Sequence, residues 1–232
     1  MSTQRFTLFA TRGTGSAIAE AVIALAARSA SDDRPGIELE LVDVEYPKDG
    51  PRNERLFELN PLGQLPTLVL AAGAVLAGGP VRADGTVMTE SAAIVLLLDE
   101  MFPEAGLAPA VGSPERAAFL RHLIFLVTSI YPTFTYGDFP ARWVPAEASQ
   151  RLVESTDRHR ERMWRWLEQQ ARAPWFLGER FSALDLYVAV MTHWRPRRRW
   201  FAEECPRLLE IARRCDALPE LAAVWQRNFP AR

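Results

Sequence analysis

The sequence is poor in the residues that form disulfides, bind metals and carry compact positive charge. It has two cysteines, Cys205 and Cys215, three histidines, and a single lysine, Lys48, among 27 basic residues. Two cysteines cannot build a disulfide framework, and they suit a reducing compartment. The histidines lie far apart and have no ligand-like spacing with the cysteines. We therefore predict no metal site.

A charge field of one sign and a membrane-spanning segment are also missing. The formal net charge is −2, so no overall basic field exists for nucleic acid. The longest uncharged stretch, 60–81, contains three prolines and four glycines, which exclude a lipid-facing helix. Glu20 interrupts the apolar segment near the N-terminus, which argues against a signal peptide. We predict a cytoplasmic protein that binds neither nucleic acid nor a membrane.

Residues 1–102 alternate short strands with helices. Strand alternation and helical periodicity predict a strand at 6–9, a helix at 16–28, a strand at 37–44, a short helix at 52–59, strands at 67–70 and 86–88, and a helix at 89–101. The opening strand, helix and strand predict a parallel pair joined by a crossover helix. The alternation in 37–44 predicts one buried face.

The pattern becomes purely helical after a Pro- and Gly-containing linker at 103–113. The predicted helices cover 113–130, 146–171, 182–193, 203–215 and 218–228, the first of them ending near Pro132. The fold class is therefore α/β plus all-α: an α/β domain over residues 1–102 and an all-α domain over residues 113–232.

The segment 60–68, with sequence NPLGQLPTL, has two prolines and a glycine directly before a strand. Pro66 lacks a backbone donor, so the strand must begin after it. A cis bond between Leu65 and Pro66 would turn the Leu65 backbone N–H and C=O outward, where an extended peptide can pair with them. An ordinary proline-rich turn is the alternative.

Two further motifs begin helices. Glu90 and Ser91 stand where free N–H groups and the helix dipole favour a carboxylate, so the pair suits the head group of an α-amino acid. A plain helix cap is the alternative. Ser182 and Asp185 have the spacing of a capping box, which is a folding device to which we assign no chemistry.

The sequence resembles the cytosolic glutathione transferases over nearly the whole chain, because the three motifs and the domain break occur in the order found in that family. The resemblance implies a thioredoxin-like N-terminal domain followed by an all-helical C-terminal domain. It also implies a two-fold homodimer, with glutathione as co-substrate and a small hydrophobic electrophile as partner. Glutathione would occupy a groove formed by Gln64, Leu65, Pro66, Glu90 and Ser91, with Leu65 pairing with its cysteinyl backbone and Glu90 and Ser91 holding its γ-glutamyl end.

The family ionises the glutathione thiol with a hydroxyl or a thiol near the first helix. No tyrosine lies near the end of the first strand, and no cysteine precedes Cys205. In an ungapped comparison, Gly15 occupies the position of the cysteine of the bacterial cysteine-type class. The remaining hydroxyls are those of Ser16, Thr11 and Thr14, of which Ser16 is the first candidate and Thr11 the second. This indicates a bacterial serine/threonine type, although Ser16 can instead cap the helix.

The aromatic residues in 131–143 suit a hydrophobic pocket for a second substrate, for which we name Tyr131 and Tyr136, with core packing as the alternative. The insert 71–84 is either a hairpin extension or a contact with a partner subunit. The leading function is conjugation of glutathione to small hydrophobic electrophiles. The alternatives are a glutathione-dependent peroxidase or isomerase, and a non-catalytic glutathione-binding regulatory protein of the same fold.

Overall fold

The computed structural model describes residues 3–28, 36–45, 53–71, 75–76, 79–80 and 85–230. The chain forms two compact units, one of residues 1–108 with 216–232 and the other of residues 109–215. The last segment, which the sequence analysis assigned to the helical domain, therefore belongs with the first unit.

The first unit contains strands and helices in the predicted order. They are β1 (Thr3–Ala10), α1 (Ser16–Arg28), β2 (Gly36–Asp43), α2 (Glu54–Leu59), β3 (Thr67–Leu70), β4 (Val75–Leu76), β5 (Gly79–Pro80), β6 (Thr86–Met88) and α3 (Ser91–Met101). The short strands β4 and β5 pair antiparallel, which agrees with the hairpin alternative for the insert. The rest of the insert, 72–74, 77–78 and 81–84, lies outside the described residues.

The main sheet has the strand order β2-β1-β3-β6. β1 and β2 are parallel, as the strand–helix–strand pattern predicts, whereas β3 runs antiparallel to both β1 and β6. With α1 and α3 packed against each other, this is the thioredoxin-like architecture that the family resemblance implies. The central strand β1 is almost fully buried. β2 is an edge strand, and none of its side chains is fully buried, so the prediction of a buried face on this strand is wrong.

The second unit consists of helices joined by loops. Its helices are α4 (Arg116–Phe125), α5 (Tyr131–Asp138), α6 (Ser149–Gln170), α7 (Ala183–Met191), α8 (Arg198–Glu204) and α9 (Pro206–Asp216). The break between α8 and α9 was not predicted. It falls at Cys205, before a proline, which disfavours helical backbone in the residue that precedes it.

The prediction that the first helix of this unit ends near Pro132 is wrong. A π-helical turn, Leu126–Ile130, joins α4 to α5, and the helical backbone continues to Asp138. In the π turn the N–H of Tyr131 donates to the carbonyl of Leu126, five residues back. Pro132 follows this π turn directly, so its missing N–H falls where the regular pattern of helical hydrogen bonds is already interrupted.

The continuous segment 116–138 is long and apolar enough to cross a membrane, judged by length and composition alone. Core helices of soluble proteins pass the same test. The property therefore assigns no membrane location to this chain.

The predicted capping box at the start of α7 is confirmed. Asp185 is completely buried and accepts hydrogen bonds from the backbone N–H groups of Ser182 and Phe176, both at 2.7 Å. Burial raises the pKa of Asp185 to about 6, although these donors act in the opposite direction.

The chain ends in α10 (Ala222–Asn228), preceded by a 3₁₀ turn at Pro219–Leu221. Both segments pack against α1 in the first unit. Leu221 is fully buried in this contact region. We refer to residues 216–230 as the C-terminal tail.

Candidate functional site

One edge of the main sheet collects the segments that the sequence analysis selected in the first unit. Phe9 pairs with Thr67, and Leu68 pairs with Met88. The C-terminal ends of β1 and β6 therefore lie beside the N-terminal end of β3. Three candidate segments extend from this edge: residues 11–16, 64–66 and 90–91.

The segment before β3 is held by the buried side chain of Asn60. Its Nδ2 donates to the Gln64 carbonyl at 3.1 Å and to Thr67 Oγ1 at 3.0 Å, and Thr67 Oγ1 donates to the same carbonyl at 2.8 Å. The Leu65–Pro66 peptide bond is cis, which agrees with the first of the two alternatives for this segment. Among the described residues, the Leu65 backbone N–H and C=O have no hydrogen-bond partner. They are available to pair with an extended ligand.

Gly63 explains why this turn needs a glycine. Its φ is +61°, in the left-handed region, and an added Cβ would overlap the ring of Phe57. Backbone conformation and space therefore both exclude a larger residue at this position.

Glu90 and Ser91 lie at the start of α3, and Glu90 has φ +60°. This conformation is uncommon for a residue other than glycine, and such residues concentrate at functional sites. The Glu90 side chain is exposed and makes no capping hydrogen bond to the helix. Its carboxylate is therefore open to a ligand, which disfavours the cap alternative for this residue.

The hydroxyl groups of residues 11–16 bond to the loop itself and to the strand end beside it. Thr11 Oγ1 donates to the Val44 carbonyl, and Thr14 Oγ1 donates to the Thr11 carbonyl at 2.7 Å. Ser16 is fully buried, and its Oγ accepts from the Thr11 N–H at 3.2 Å and lies 3.1 Å from Thr14 Oγ1. Because the Thr14 proton is already donated to the Thr11 carbonyl, the proton in the Ser16–Thr14 contact belongs to Ser16.

Each of these three hydroxyl protons is therefore used within the fold. The backbone N–H groups of Arg12, Thr14 and Gly15, in contrast, have no hydrogen-bond partner among the described residues. Backbone N–H groups before a helix form a favourable site for an anion. The loop thus offers two kinds of donor to a ligand thiolate: a hydroxyl that exchanges its partner, or N–H groups that need no exchange.

The two tyrosines proposed for a second-substrate pocket have different surroundings within the second unit. Tyr131 packs edge-to-face against Phe134 and Trp194. Tyr136 is exposed, packs edge-to-face against Trp143, and lines a cavity of about 550 Å³ between α5 and α6. The other side chains that line this cavity are mostly polar: Thr128, Ser129, Pro132, Thr133, Ser155, Thr156, His159 and Arg162.

Asn228 and Glu20 are two residues near the loop that the sequence analysis missed. Asn228 Oδ1 accepts from the Gly13 N–H at 3.0 Å, and its Nδ2 donates to Glu20 Oε2 at 3.0 Å. Burial raises the pKa of the Glu20 carboxyl, although Arg227 and Asn228 act in the opposite direction. No local pattern signals these contacts, because Asn228 lies more than 200 residues beyond its partners.

Among the described residues, no three His, Cys, Asp or Glu side chains are placed to hold a metal ion. The prediction that the protein needs no metal stays a prediction.

Known sequences that resemble this chain are glutathione S-transferases and related proteins. Residues 35–101 match the family described as Glutathione S-transferase, N-terminal domain. The chain is 36% identical over 218 residues to the uncharacterized GST-like protein YncG of Escherichia coli K12, which covers 93% of this chain and 95% of that protein. It is 26% identical over 164 residues to glutathione S-transferase GstA of Escherichia coli O157:H7, which covers 68% of this chain and 71% of that protein.

Solved structures agree with the fold. A glutathione transferase from Methylococcus capsulatus has a TM-score of 0.64 at 25% identity, covering 95% of this chain and 97% of that one. A glutathione transferase homologue from Sulfitobacter, solved with bound glutathione, has a TM-score of 0.70 at 22% identity and covers 97% of each chain. Fold and sheet-edge geometry define a thioredoxin-like protein with an additional helical unit. The sequence relationship is more specific: the chain belongs to the glutathione S-transferase family.

Proposed function

We propose that this protein is a glutathione transferase that ionises the glutathione thiol and adds it to small hydrophobic electrophiles. The observation that carries the proposal is the sheet edge at which three segments meet. The unpaired Leu65 backbone provides an acceptor and a donor for an extended peptide. The exposed Glu90 carboxylate suits the ammonium group of a γ-glutamyl residue, and the start of α3 with Ser91 suits its carboxylate.

The proposed groove comprises Gln64, Leu65, Pro66, Glu90 and Ser91. We propose that the thiol is ionised at residues 11–16, with Ser16 as the first hydroxyl donor and Thr11 as the second. Either hydroxyl must exchange its present partner to donate to sulfur. In the helical unit, Tyr136 remains in the proposed pocket for the electrophile because its ring is exposed and packs against the exposed Trp143. The cavity that Tyr136 also lines is mostly polar and does not support a hydrophobic pocket. The edge-to-face contacts of Tyr131 support the core-packing alternative for that residue.

Calorimetric titration with glutathione tests the groove. Ser91→Ala removes a hydrogen bond to a charged group and should cost about 1.5–3 kcal/mol of affinity. Ser149→Ala is a matched control, because Ser149 is likewise the first residue of a helix, α6. Its affinity should equal that of the wild type. Equal affinity in Ser91→Ala and the wild type would exclude this groove.

One observation favours a second candidate function, a non-catalytic glutathione-binding protein. The protons of Thr11, Thr14 and Ser16 all have partners within the fold, so no hydroxyl is ready to donate to sulfur. A panel of electrophiles and hydroperoxides separates the two functions. Turnover of at least one electrophile supports the transferase, whereas tight glutathione binding without turnover supports the binding protein.

We also propose that two copies of the chain form a two-fold homodimer. The support is family membership, together with opposite charge in the two halves of the sequence. Residues 1–105 carry 8 basic and 15 acidic side chains, and residues 106–232 carry 19 and 14.

A further inference from the structure

The C-terminal tail is bonded directly to the loop that precedes α1. The Gly13 N–H donates to Asn228 Oδ1 at 3.0 Å, and these residues are 215 positions apart in the chain. The backbone also approaches closely here, because a Cβ added to Gly13 would lie 3.4 Å from the Asn228 carbonyl oxygen. Gly13 has φ +70°, so a glycine suits both the backbone and the space.

The Asn228 side chain uses both ends of its amide. Oδ1 accepts from Gly13, while Nδ2 donates to Glu20 Oε2 and to the Val224 carbonyl, both at 3.0 Å. Asn228 and Glu20 are 6% and 5% exposed, so water does not replace these bonds readily. A carboxylate, a hydroxyl or an apolar group at position 228 cannot accept from the loop and donate to Glu20 with the same reach.

Charged groups hold the tail in register with α1. Arg227 forms ion pairs with Glu20 and with Asp43 at the end of β2, both at 2.6 Å. Arg28, at the other end of α1, pairs with Glu220. These contacts fix where α10 lies along α1, and they thereby fix the Asn228 amide opposite Gly13.

We propose that Asn228 is a positioning residue that holds the 11–16 loop in the conformation needed to ionise bound glutathione. The inference rests on the proposed function. Thr11, Thr14 and Ser16 set the internal hydrogen bonds of the loop, and Asn228 ties the middle of the loop to α1 through Glu20. Thr14 and Gly15 follow Gly13 directly, so the orientation of their N–H groups depends on how Asn228 holds the Gly13 backbone.

Kinetics and thiol titration of Asn228→Ala test the proposal. Glutathione affinity should stay within about twofold of the wild type, because the proposed groove residues lie elsewhere. The pKa of the bound thiol should rise and kcat should fall ~10- to 100-fold, the scale expected when a reacting group is misplaced by about 1 Å. Hydrogen exchange should become faster at the Gly13 amide, which loses its acceptor, and at the Thr11 amide, which is bonded to Ser16.

Leu221→Ala is the matched control for a merely structural effect. Leu221 is fully buried in the tail and makes no described hydrogen bond to the loop. The substitution loosens the tail without removing the bond to Gly13. It should lower the thermal unfolding temperature at least as much as Asn228→Ala, while the thiol pKa and kcat stay near their wild-type values.

A double variant provides the rescue. Asn228→Asp alone keeps an oxygen for the Gly13 N–H but sets two carboxylates against each other, so kcat should fall. Adding Glu20→Gln removes one charge and supplies an amide that donates back to position 228. The double variant should recover a large part of the kcat that Asn228→Asp loses.

Two results overturn the proposal: unchanged kcat and unchanged loop exchange in Asn228→Ala, or equal losses in Leu221→Ala and Asn228→Ala. Failure of the proposed function is recognised separately. A wild-type protein that turns over no electrophile contradicts the transferase assignment, whereas exchange at the Gly13 amide still shows whether Asn228 anchors the loop.

Discussion

Small polar side chains at the proposed site act mainly on the backbone around them. Asn60 and Thr67 fix the Gln64 carbonyl, and the hydroxyls of Thr14 and Ser16 fix the loop before α1. Such bonds are local alternatives to regular secondary structure. These bonds shape the two segments that the proposed function requires. In the loop, they also engage the hydroxyl protons that would be needed to donate to a thiolate.

We expect Ser16→Ala to raise the pKa of the bound glutathione thiol while affinity stays nearly intact. Removing a donor from the thiolate destabilises its charged form. Thiolate absorbance measured against pH checks the shift, with Thr11→Val as the comparison. An upward shift in Thr11→Val alone would assign the role to Thr11. If the thiol pKa is unchanged in both variants, neither hydroxyl is the donor, and the backbone N–H groups of the loop remain as the donors.

At the scale of secondary-structure elements, the turn between α2 and β3 depends on one close contact. Gly63 follows Asn60 and Pro61, and its left-handed backbone faces the ring of Phe57 on α2. The turn thereby sets the entry into the cis Leu65–Pro66 bond and β3.

Gly63→Ala should lower the free energy of unfolding by about 2–4 kcal/mol, because overpacking against Phe57 adds to the backbone cost of the left-handed conformation. Gly106→Ala is the matched control. Gly106 has φ +64° and no atom within 4 Å of an added Cβ, so only the backbone cost of about 1–2 kcal/mol applies. Urea denaturation measures both. Equal losses at the two positions would show that the contact with Phe57 is unimportant.

At the scale of the whole molecule, the boundary between the two compact units differs from the single break near residue 105 that the sequence suggests. The first unit takes back the last residues of the chain, 216–232. The ion pairs of Arg227 with Glu20 and Asp43 therefore form within one unit. Residues 216–232 bring two arginines but also Asp216 and Glu220, so the first unit stays acidic.

We expect light scattering at micromolar concentration to give twice the mass of one chain. In a two-fold dimer, the acidic half of one copy can face the basic half of the other, which favours association at low ionic strength. Raising the salt concentration should weaken this contribution. A monomeric mass that persists at low salt would contradict the homodimer.

Much of the first unit could be predicted from the sequence, because its signals are local. Alternating apolar residues predict β1 and its parallel partner β2. In the second unit, the capping box of Ser182 and Asp185 is predictable for the same reason, because it is contained within four residues. The sequence shows that a cis bond before Pro66 would cost little, and the structure decides that the bond is cis. The candidate segments at 64–66 and 90–91 could also be selected, because each stands at the end of a predicted element.

Other features were decided only by tertiary structure, because they depend on contacts between distant parts of the chain or on competition for one proton. The π turn before Tyr131 allows the helix to continue past Pro132, where the local pattern predicts an end. The partners of the Ser16 and Thr11 hydroxyls depend on how the loop closes on itself and on Val44. The bond from Gly13 to Asn228 forms only after β1, α1 and the tail have come together, since neither residue carries a local pattern that specifies the other.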